Sequence, residues 1–342
     1  MSVSLGELAV RFGCELRGDP DLRVERVATL AGAGPTALAF LVNPKYRPLL
    51  GQTRAGAVVL GAADAAGVAR AVLIAPNPYA TYARIAAVLH PAPAASPGVH
   101  PTAWVAPLAQ IDGSAHVGPH SSVGGGTRIG ARTVVGPGCV IEGDVEIAED
   151  VRLVARVVIC RGTRIGTRTI VQPGAVIGGD GFGYAPERGA WVKVPQVGRV
   201  VIGADVEIGA NTTIDRGAID DTVIEDGVKL DNQIQIGHNV HIGAHSALAA
   251  CVGVSGSVTI GKRCQIGGAV GIVGHLSICD DVAVTGLTMV SHSITEPGVY
   301  SSGLPAVPAQ EWRRAVARLH RLDRMAGQVA ALEKKLNRNQ DD

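Results

Sequence analysis

Residues 230–243 read LDNQIQIGHNVHIG and place an aliphatic side chain at every sixth position, Leu230, Ile236 and Ile242. A histidine, His238, stands between two of these positions, preceded by a glycine and followed by an asparagine. The stretch raises two questions: which fold a six-residue spacing specifies, and whether this histidine performs chemistry on that fold. Both answers depend on how far the spacing extends along the chain.

The six-residue spacing covers most of the chain. It runs through fourteen aliphatic positions over residues 99–177, three over 202–214 and, after a shift of four residues, twelve over 224–290. Neither the 3.6-residue period of a helix nor the two-residue period of a strand persists over these ranges. Six-residue units of short strand and tight turn are typical of a hexapeptide β-helix, in which three units form one coil around an aliphatic interior. The sequence therefore predicts a mainly β protein built on a parallel β-helix.

Composition excludes several classes of protein. The formal net charge is +1, which favours neither nucleic acid nor an acidic membrane surface as a partner. The N-terminus lacks the basic and apolar segments of a secretory signal, and no apolar run approaches the ~18 residues of a membrane-spanning helix. The six cysteines include no C-x-x-C pair and are expected to be reduced thiols. We therefore expect a cytoplasmic protein with no integral membrane segment and no nucleic-acid partner.

The spacing also divides the chain. Residues 1–97 lack it and mix short apolar runs with helix-like stretches, which predicts a small α/β domain. The β-helix is expected over 98–305, with a glycine-rich inserted loop over 178–201, and loops that leave a rigid scaffold often carry function. Residues 306–342 space their apolar side chains by threes and fours, which predicts one amphipathic helix or two with a break at Gly327.

Five long motifs carry a specific resemblance. They are DGFGYA (180–185), WVKVPQVGRVVIGADVEIGANTTIDRGAIDDT (191–222), LDNQIQIGHNV (230–240), GGAVGIVGHLSICD (267–280) and ITEPGVYSSGLP (294–305). These motifs resemble those of the UDP-3-O-(3-hydroxyacyl)glucosamine N-acyltransferases of lipid A synthesis. The resemblance implies a left-handed parallel β-helix of hexapeptide repeats, with an N-terminal α/β uridine-binding domain and C-terminal α-helices. It also implies a homotrimer with active sites between subunits.

The resemblance implies an acyl-transfer reaction. A (R)-3-hydroxyacyl group would pass from the phosphopantetheine thioester of acyl carrier protein to the 2-amino group of UDP-3-O-acylglucosamine, which gives the UDP-2,3-diacylglucosamine. The carrier protein and the UDP-sugar are thus the expected partners, and the protein itself would bind no cofactor. An amine that attacks a thioester must lose protons, so a group that titrates near neutral pH is required.

The same resemblance assigns catalytic roles. It makes His238, in QIGHNV, the general base, and it makes His275 a second active-site histidine that positions substrate or assists the oxyanion with a backbone N–H near Gly256. Asp231 precedes His238 by seven residues and is expected to orient its ring, as an aspartate does in a triad. The two histidines are thirty-seven residues apart, about two coils or ~10 Å, so they either flank a long substrate or meet through neighbouring subunits.

Substrate contacts are also implied. Phe40, Asn43 and Tyr46, in AFLVNPKYR, match uracil-binding positions, whereas an ordinary core Phe40 and surface Tyr46 are the alternative. Asn232 and Gln235 stand beside the expected base and are expected to contact substrate.

Two further assignments concern the acyl donor. Met289 matches a position that limits the length of the acyl pocket, although a methionine also fills irregular core space. The arginine-rich C-terminal helix, with Arg313, Arg314 and Arg318, is the expected contact for acyl carrier protein. A solvated helix face is the alternative interpretation of that helix.

Three rival functions are weaker. A metal site shared by His238, His241 and His245 is disfavoured because they stand at different phases of the six-residue unit and so point in different directions. A non-enzymatic scaffold would not need the interruption at 178–201. The related UDP-N-acetylglucosamine O-acyltransferase would lack the uridine-binding domain expected over residues 1–97. No metal is therefore expected.

Overall fold

The structure is a computed structural model that describes residues 2–91, 93–303 and 305–338. The chain divides into two compact units, residues 1–94 and residues 95–342. The first is a small α/β unit and the second contains the β-helix and the C-terminal helices. The predicted fold class is confirmed.

A five-stranded sheet forms the centre of the first unit. In order across the sheet, its strands are Glu15–Arg17, Ala71–Ile74, Ala57–Leu60, Ala37–Phe40 and Arg26–Val27. All are parallel except the first, which pairs antiparallel. The sequences ALAF, AVVL and AVLI are apolar throughout because both faces of these inner strands are covered.

Helices and short elements complete this unit. Helix α1 spans Leu5–Phe12 between a Ser4 N-cap and a left-handed Gly13, and helix α2 spans Pro78–Leu89 with Asn77 as N-cap. These start and stop residues are the ones that satisfy free N–H and C=O groups at helix ends. The remaining elements are the 3₁₀ helices Pro44–Gly51 and Ala62–Asp64 and the antiparallel pair Val3–Ser4 and Arg23–Val24.

The second unit is a parallel β-helix with three sheets of 11, 10 and 9 strands. Sheet I contains Gly98–Val99, His116–Val117, Val134–Val135, Arg152–Leu153, Ile170–Val171, Glu207–Ile208, Lys229–Leu230, Ala247–Leu248, Gln265–Ile266, Val282–Val284 and Gly298–Tyr300. Sheet II contains Trp104–Val105, Ser122–Val123, Val140–Ile141, Val158–Ile159, Val176–Gly179, Thr213–Asp215, Gln235–Ile236, Gly253–Val254, Gly271–Ile272 and Met289–Val290. Sheet III contains Gln110–Ile111, Arg128–Ile129, Glu146–Ile147, Arg164–Ile165, Val200–Ile202, Thr222–Ile224, His241–Ile242, Thr259–Ile260 and Ser277–Ile278.

The aliphatic residue of each six-residue unit ends its strand, except Ile177 and Ile214, whose strands continue to Gly179 and Asp215. Apart from the first three, Val99, Val105 and Ile111, every counted position is buried. A second buried column lies two residues earlier at the corners. Several of its polar members bond to the next coil: Thr127 Oγ1 donates to the carbonyl of Glu142, and Thr133 Oγ1 donates to that of Ala148, each at 2.7 Å. Burial of these hydroxyls is therefore compensated.

Two departures from the repeat occur where the spacing breaks. The predicted loop 178–201 contains a two-stranded hairpin, Tyr184–Glu187 and Ala190–Lys193, whose residues are all exposed. The shift of four residues becomes a tight loop over 215–221 between strands of sheets II and III. Both departures lie beside the same corner of the β-helix as His238, as described below.

The C-terminal segment forms two helices. Helix α3 spans Ala309–Leu319 and helix α4 spans Leu322–Arg338. The break predicted at Gly327 is wrong: α4 continues through this glycine, and the chain breaks at residues 320–321 instead. Gly327 sits on an exposed helix where the loss of about 1 kcal/mol in helix propensity is tolerated. Among the described residues, no helix is both long and apolar enough to cross a membrane.

Candidate active site

A groove of about 970 Å³ crosses the outer surface of sheet II. Four outward positions on neighbouring coils are in register along it: Gln235 pairs with Gly253, Gly253 with Gly271, and Gly271 with Met289. Three strand spacings separate the ends, about 14 Å. A Cβ on either glycine would meet nothing within 4 Å. Because Gly253 and Gly271 carry no side chain, their backbone forms the floor of the groove.

His238 lies at one end of this groove, at the corner that follows strand Gln235–Ile236. Its ring is partly buried, and Nδ1 lies 3.0 Å from Asn239 Oδ1. The other ring nitrogen faces Gly256 on the next coil, because a Cβ built there would be 2.5 Å from Nε2. Nε2 has no hydrogen-bond partner within the described parts of the chain. Glycine at position 256 thus keeps this nitrogen accessible.

Asp215 is the carboxylate beside His238. It lines the groove, and burial raises its pKa, while the hydrogen bond from Gln235 and the charge of His238 act in the opposite direction. Gln235 Nε2 donates to Asp215 Oδ2 at 2.9 Å, and Thr213 Oγ1 donates to Gln235 Oε1. Gln235 therefore lines the groove as a residue that holds Asp215, and its predicted contact with substrate remains a prediction.

The inserted loop covers the same end of the groove. Asp180, Gly181, Phe182 and Tyr184 line it, and a Cβ on Gly181 would lie 2.7 Å from His238 Cβ. An ion pair between Asp180 and Lys193 ties the base of the hairpin to this loop. Phe182 is 86% exposed, so an aromatic ring stands unburied at the mouth of the groove. The loop 178–201 thus lies beside His238, and its functional role remains a prediction.

Asp231 and Asn232, both predicted site residues, lie away from this groove in the single chain. Asp231 follows sheet I, at the other edge of sheet II from His238, and its oxygens accept from the N–H groups of Asn232 and Ala250 at 2.8 and 3.1 Å. Asn232 Oδ1 accepts from Ala210 N at 2.7 Å. These side chains connect neighbouring turns, so Asp231 does not orient His238 within one chain.

His275 is exposed and stands two coils from the level of His238, with its N–H bonded to the carbonyl of Gly256 at 3.1 Å. It does not line the groove. Its catalytic role remains a prediction. Met289, by contrast, closes the far end of the groove and is 66% exposed, so it is not a core residue.

The predicted uracil contacts gather around a separate cavity of about 430 Å³ in the first unit. Phe40, Asn43 and Tyr46 all line it, together with Tyr79, which sequence reasoning did not identify. Phe40 stacks on Tyr82 with ring centroids 4.0 Å apart. Asn43 Oδ1 accepts from Lys45 N at 3.0 Å and thereby caps Pro44–Gly51. This bond leaves its amide nitrogen available to a ligand.

The C-terminal arginines are exposed. Arg313, Arg314 and Arg318 lie on α3, whose apolar Trp312 and Leu319 are 45% and 51% exposed. No group of three or more His, Cys, Asp or Glu side chains placed to hold a metal occurs within residues 2–91, 93–303 and 305–338. His241 bonds instead to Glu225, with Nε2 2.7 Å from Oε1.

Asp215 and Asn239 were not identified as site residues from the sequence. Their signal was the shift of four residues after Ile214. Because strand Thr213–Asp215 pairs with Gln235–Ile236, Ile214 lies beside Ile236, and Asp215 follows at the level of Gly237. Counting coils through the insertion would have placed this carboxylate next to His238.

The chain that forms this groove matches known families of acyltransferases. Residues 126–161 match the family described as bacterial transferase hexapeptide (six repeats), and residues 21–88 match UDP-3-O-(3-hydroxymyristoyl) glucosamine N-acyltransferase, LpxD. The UDP-3-O-acylglucosamine N-acyltransferase of Pseudomonas aeruginosa (strain LESB58) is 54% identical over 336 residues, 98% of this chain and 95% of the relative. That of Pseudomonas fluorescens (strain SBW25) is 53% identical over 335 residues, with the same coverage. The chain belongs to the UDP-3-O-acylglucosamine N-acyltransferase family.

A solved structure with a related fold is UDP-N-acetylglucosamine O-acyltransferase (LpxA) from Moraxella catarrhalis RH4. It is 25% identical and has a TM-score of 0.44, over 64% of this chain and 77% of that chain. This likeness does not bear on activity.

Proposed function

We propose that the protein transfers a (R)-3-hydroxyacyl group from the thioester of acyl carrier protein to the 2-amino group of UDP-3-O-acylglucosamine, with His238 as general base. The observation that carries this proposal is one arrangement: His238 Nε2, which has no hydrogen-bond partner among the described residues, faces Gly256 at the end of a groove whose floor is formed by Gly253 and Gly271. Family membership supplies the reaction class, and the groove supplies groups that this reaction requires.

The proton steps use His238 Nε2. The amine nitrogen attacks the thioester carbonyl carbon, a C–N bond forms, and the carbonyl electron pair moves to oxygen. Nε2 takes the proton that the nitrogen sheds, and the imidazolium then gives it to the departing phosphopantetheine sulfur as the C–S bond breaks. Such a base contributes about 10²–10⁴ in rate. The charge of Asp215 stabilises the imidazolium while it exists.

The negatively charged oxygen that forms when the amine attacks the thioester requires a hydrogen-bond donor near His238. The N–H of Gly256 donates to no other group in the described residues, and Gly256 is the residue that faces His238 Nε2. A backbone donor aimed at the position of the developing negative charge lowers the barrier without reorganisation. A carbonyl between Nε2 and this N–H would be in place for both attack and stabilisation.

The acyl chain would lie on the glycine floor. Gly253 and Gly271 leave room for methylene groups, Val254, Ile272 and Val273 offer apolar contact, and Met289 closes the end. The surface is apolar where a hydrocarbon is expected and polar at His238, Asp215 and Gln235, where the amide forms. Met289 therefore limits the length of the chain that the groove accepts.

The nucleotide and the carrier protein would bind elsewhere. In the first unit, Phe40, Tyr46 and Tyr79 present aromatic surface to a flat base, and the amide of Asn43 can bond to its edge. On α3, Arg313, Arg314 and Arg318 form an exposed basic surface that suits an acidic carrier protein. A closed homotrimer in the cytoplasm, with no cofactor resident in the protein, completes the proposal.

The choice of acceptor tests the proposal. Purified protein and 3-hydroxyacyl carrier protein are incubated with either UDP-3-O-acylglucosamine or UDP-N-acetylglucosamine, and products are identified by mass spectrometry. We expect an amide product with the first acceptor and none with the second. An ester formed on UDP-N-acetylglucosamine would assign the sibling O-acyltransferase activity instead. No product with either acceptor would favour a scaffold.

A further inference from the structure

The asparagine that follows His238 has an amide group whose orientation is fixed by the backbone. Asn239 Oδ1 accepts from the N–H of Ala218 at 3.0 Å, and Asn239 Nδ2 donates to the carbonyl oxygen of Asp220 at 2.8 Å. A flipped amide would set its NH₂ against an N–H and its oxygen against a carbonyl. Both partners are main-chain groups of known polarity, so the bonding pattern itself identifies the amide oxygen.

This orientation determines the proton on His238. Oδ1 of Asn239 can only accept, and it lies 3.0 Å from His238 Nδ1. Nδ1 must therefore carry the hydrogen when the ring is neutral. The lone pair is then on Nε2, the nitrogen that faces Gly256 and the groove. The reverse tautomer would set two lone pairs against each other at Nδ1 and would put a hydrogen where the base must accept one.

The loop over 215–221 supplies both of these contacts. It contains the four extra residues that shift the repeat, and both partners of the amide, Ala218 and Asp220, belong to it. The loop is closely packed: a Cβ on Gly198 or Gly217 would lie 2.4 or 1.6 Å from the carbonyl oxygen of Asp220. The other insertion, the hairpin loop 178–201, does not bond to Asn239. The backbone of Asn239 is held as well, because its N–H donates to Thr222 Oγ1 at 2.9 Å.

We propose that Asn239, held by the inserted loop 215–221, is a positioning residue that fixes the Nδ1–H tautomer of His238 and so keeps Nε2 unprotonated for catalysis. The inference deepens the proposed function, because it concerns the same base. It assigns to the insertion and to Asn239 the orienting role that a carboxylate has in other histidine-dependent enzymes. An amide performs it without adding a negative charge next to the imidazole.

A glycine substitution removes the side chain with little other change. Asn239 has a left-handed φ of 59°, so Asn239→Gly keeps the turn without strain. Asn211→Gly is the matched control, because Asn211 occupies a similar corner at φ 56° and does not line the groove. Both proteins carry ¹⁵N-labelled histidine, and the His238 resonances are identified by their loss in His238→Gln.

Two readouts are compared in these proteins. Nitrogen NMR at a pH where the ring is neutral reports which nitrogen is protonated, and we expect Nδ1–H in the wild type and in Asn211→Gly. In Asn239→Gly we expect a substantial Nε2–H population. Transfer kinetics should show kcat lowered by about 10–100-fold in this variant, a share of what a general base contributes, with KM for both substrates unchanged.

The outcomes separate this inference from the proposed function. The NMR measurement needs no substrate, so failure of the transfer reaction alone would count against the proposed function only. Predominant Nε2–H in the wild type would overturn the inference, as would an Asn239→Gly protein that keeps the wild-type tautomer. A variant with a changed tautomer but full kcat would also overturn it, because the tautomer would then not matter to catalysis.

Discussion

At the scale of residues, the site is made by a few side chains whose bonds to the backbone are specific. His238 contacts Asn239 through one ring nitrogen and faces Gly256 with the other. Asp215 is held by Gln235 at 2.9 Å in a partly buried position. These contacts determine which atoms can exchange protons. They also hold the Asp215 carboxylate in a partly buried position, where its negative charge is unfavourable.

The charge of Asp215 predicts a dependence of stability on pH. Burial raises the pKa of Asp215 above its ordinary value of 3.8, so the folded protein holds this proton more tightly than the unfolded chain does. Stability is therefore lost as pH rises from that value through the raised pKa. Asp215→Asn keeps an acceptor for Gln235 and removes the charge. We expect it to raise the unfolding midpoint at pH 7, with the gain absent at pH 3.

Asp281→Asn provides a control of opposite sign. Arg263 lowers the pKa of Asp281 through a hydrogen-bonded ion pair, so removal of this carboxylate should slightly lower stability at pH 7. Denaturant unfolding of the three proteins at both pH values gives the comparison. An Asp215→Asn protein that is no more stable than wild type at pH 7 would contradict the account of this residue.

At the scale of elements, the regular spacing of one strand for every six residues allows the fold to be predicted from the sequence. The same spacing predicts only part of the site. All but two of the counted aliphatics end a strand and all but the first three are buried, so the spacing alone predicted three sheets and their register. The corners are different, because their roles depend on which coil lies above or below. Asp231 was expected to orient His238 from a spacing of seven residues, yet a sheet separates them.

The elements that interrupt the repeat carry the rest of the site. Asp215 lies twenty-three residues before His238 in sequence, and only a count through the inserted residues places it one coil away. The hairpin of residues 184–193 has no packed face, so no periodicity indicates it. Asn239 acts through main-chain groups of a loop, and such groups leave no trace in the residue types.

The glycine floor of sheet II predicts control of acyl length. Gly271→Leu places a side chain in open space and so should not disturb folding, but it fills the groove between Gly253 and Met289. We expect kcat/KM for long acyl donors to fall about 10–100-fold, the range for a misfit of methylene size or larger, with shorter donors less affected. Competition between acyl carrier proteins of different chain length measures this ratio.

Two further variants complete the test of the groove. Ser277→Leu adds the same bulk at an exposed outward position of sheet III on the same coil, and should leave the ratio unchanged. Met289→Ala opens the far end and should extend the preference to longer chains. Equal loss for all chain lengths in Gly271→Leu would mean that the acyl chain does not lie on this surface.

At the scale of the whole molecule, the two units and the terminal helices present different surfaces. The cavity lined by Phe40, Asn43 and Tyr46 belongs to residues 1–94, and the groove belongs to the β-helix. The exterior of the β-helix carries ladders of ion pairs, such as Arg132 with Asp150 and Arg168 with Asp205. Exposed pairs of this kind contribute about 0–1 kcal/mol each, so stability comes mainly from the aliphatic interior.

The basic surface of α3 predicts how the donor is recognised. Substitution of Arg313, Arg314 and Arg318 by glutamate reverses the charge of this surface without changing the groove. We expect KM for acyl carrier protein to rise about tenfold or more and to become less sensitive to salt, because steering between charged surfaces is screened by ions. KM for the UDP-sugar should not change. Arg54→Glu, at an exposed arginine of the first unit, is the control.

The most direct test of the central claim removes the base itself. N-acyl transfer from 3-hydroxyacyl carrier protein to UDP-3-O-acylglucosamine is measured with wild type, His238→Ala and His241→Ala, with a chelator present throughout. His241 is a suitable control because it bonds to Glu225 and does not line the groove. We predict chelator-resistant activity that falls by about 10²–10⁴ in His238→Ala only. Full activity in His238→Ala would contradict the account and assign the proton transfer to another residue.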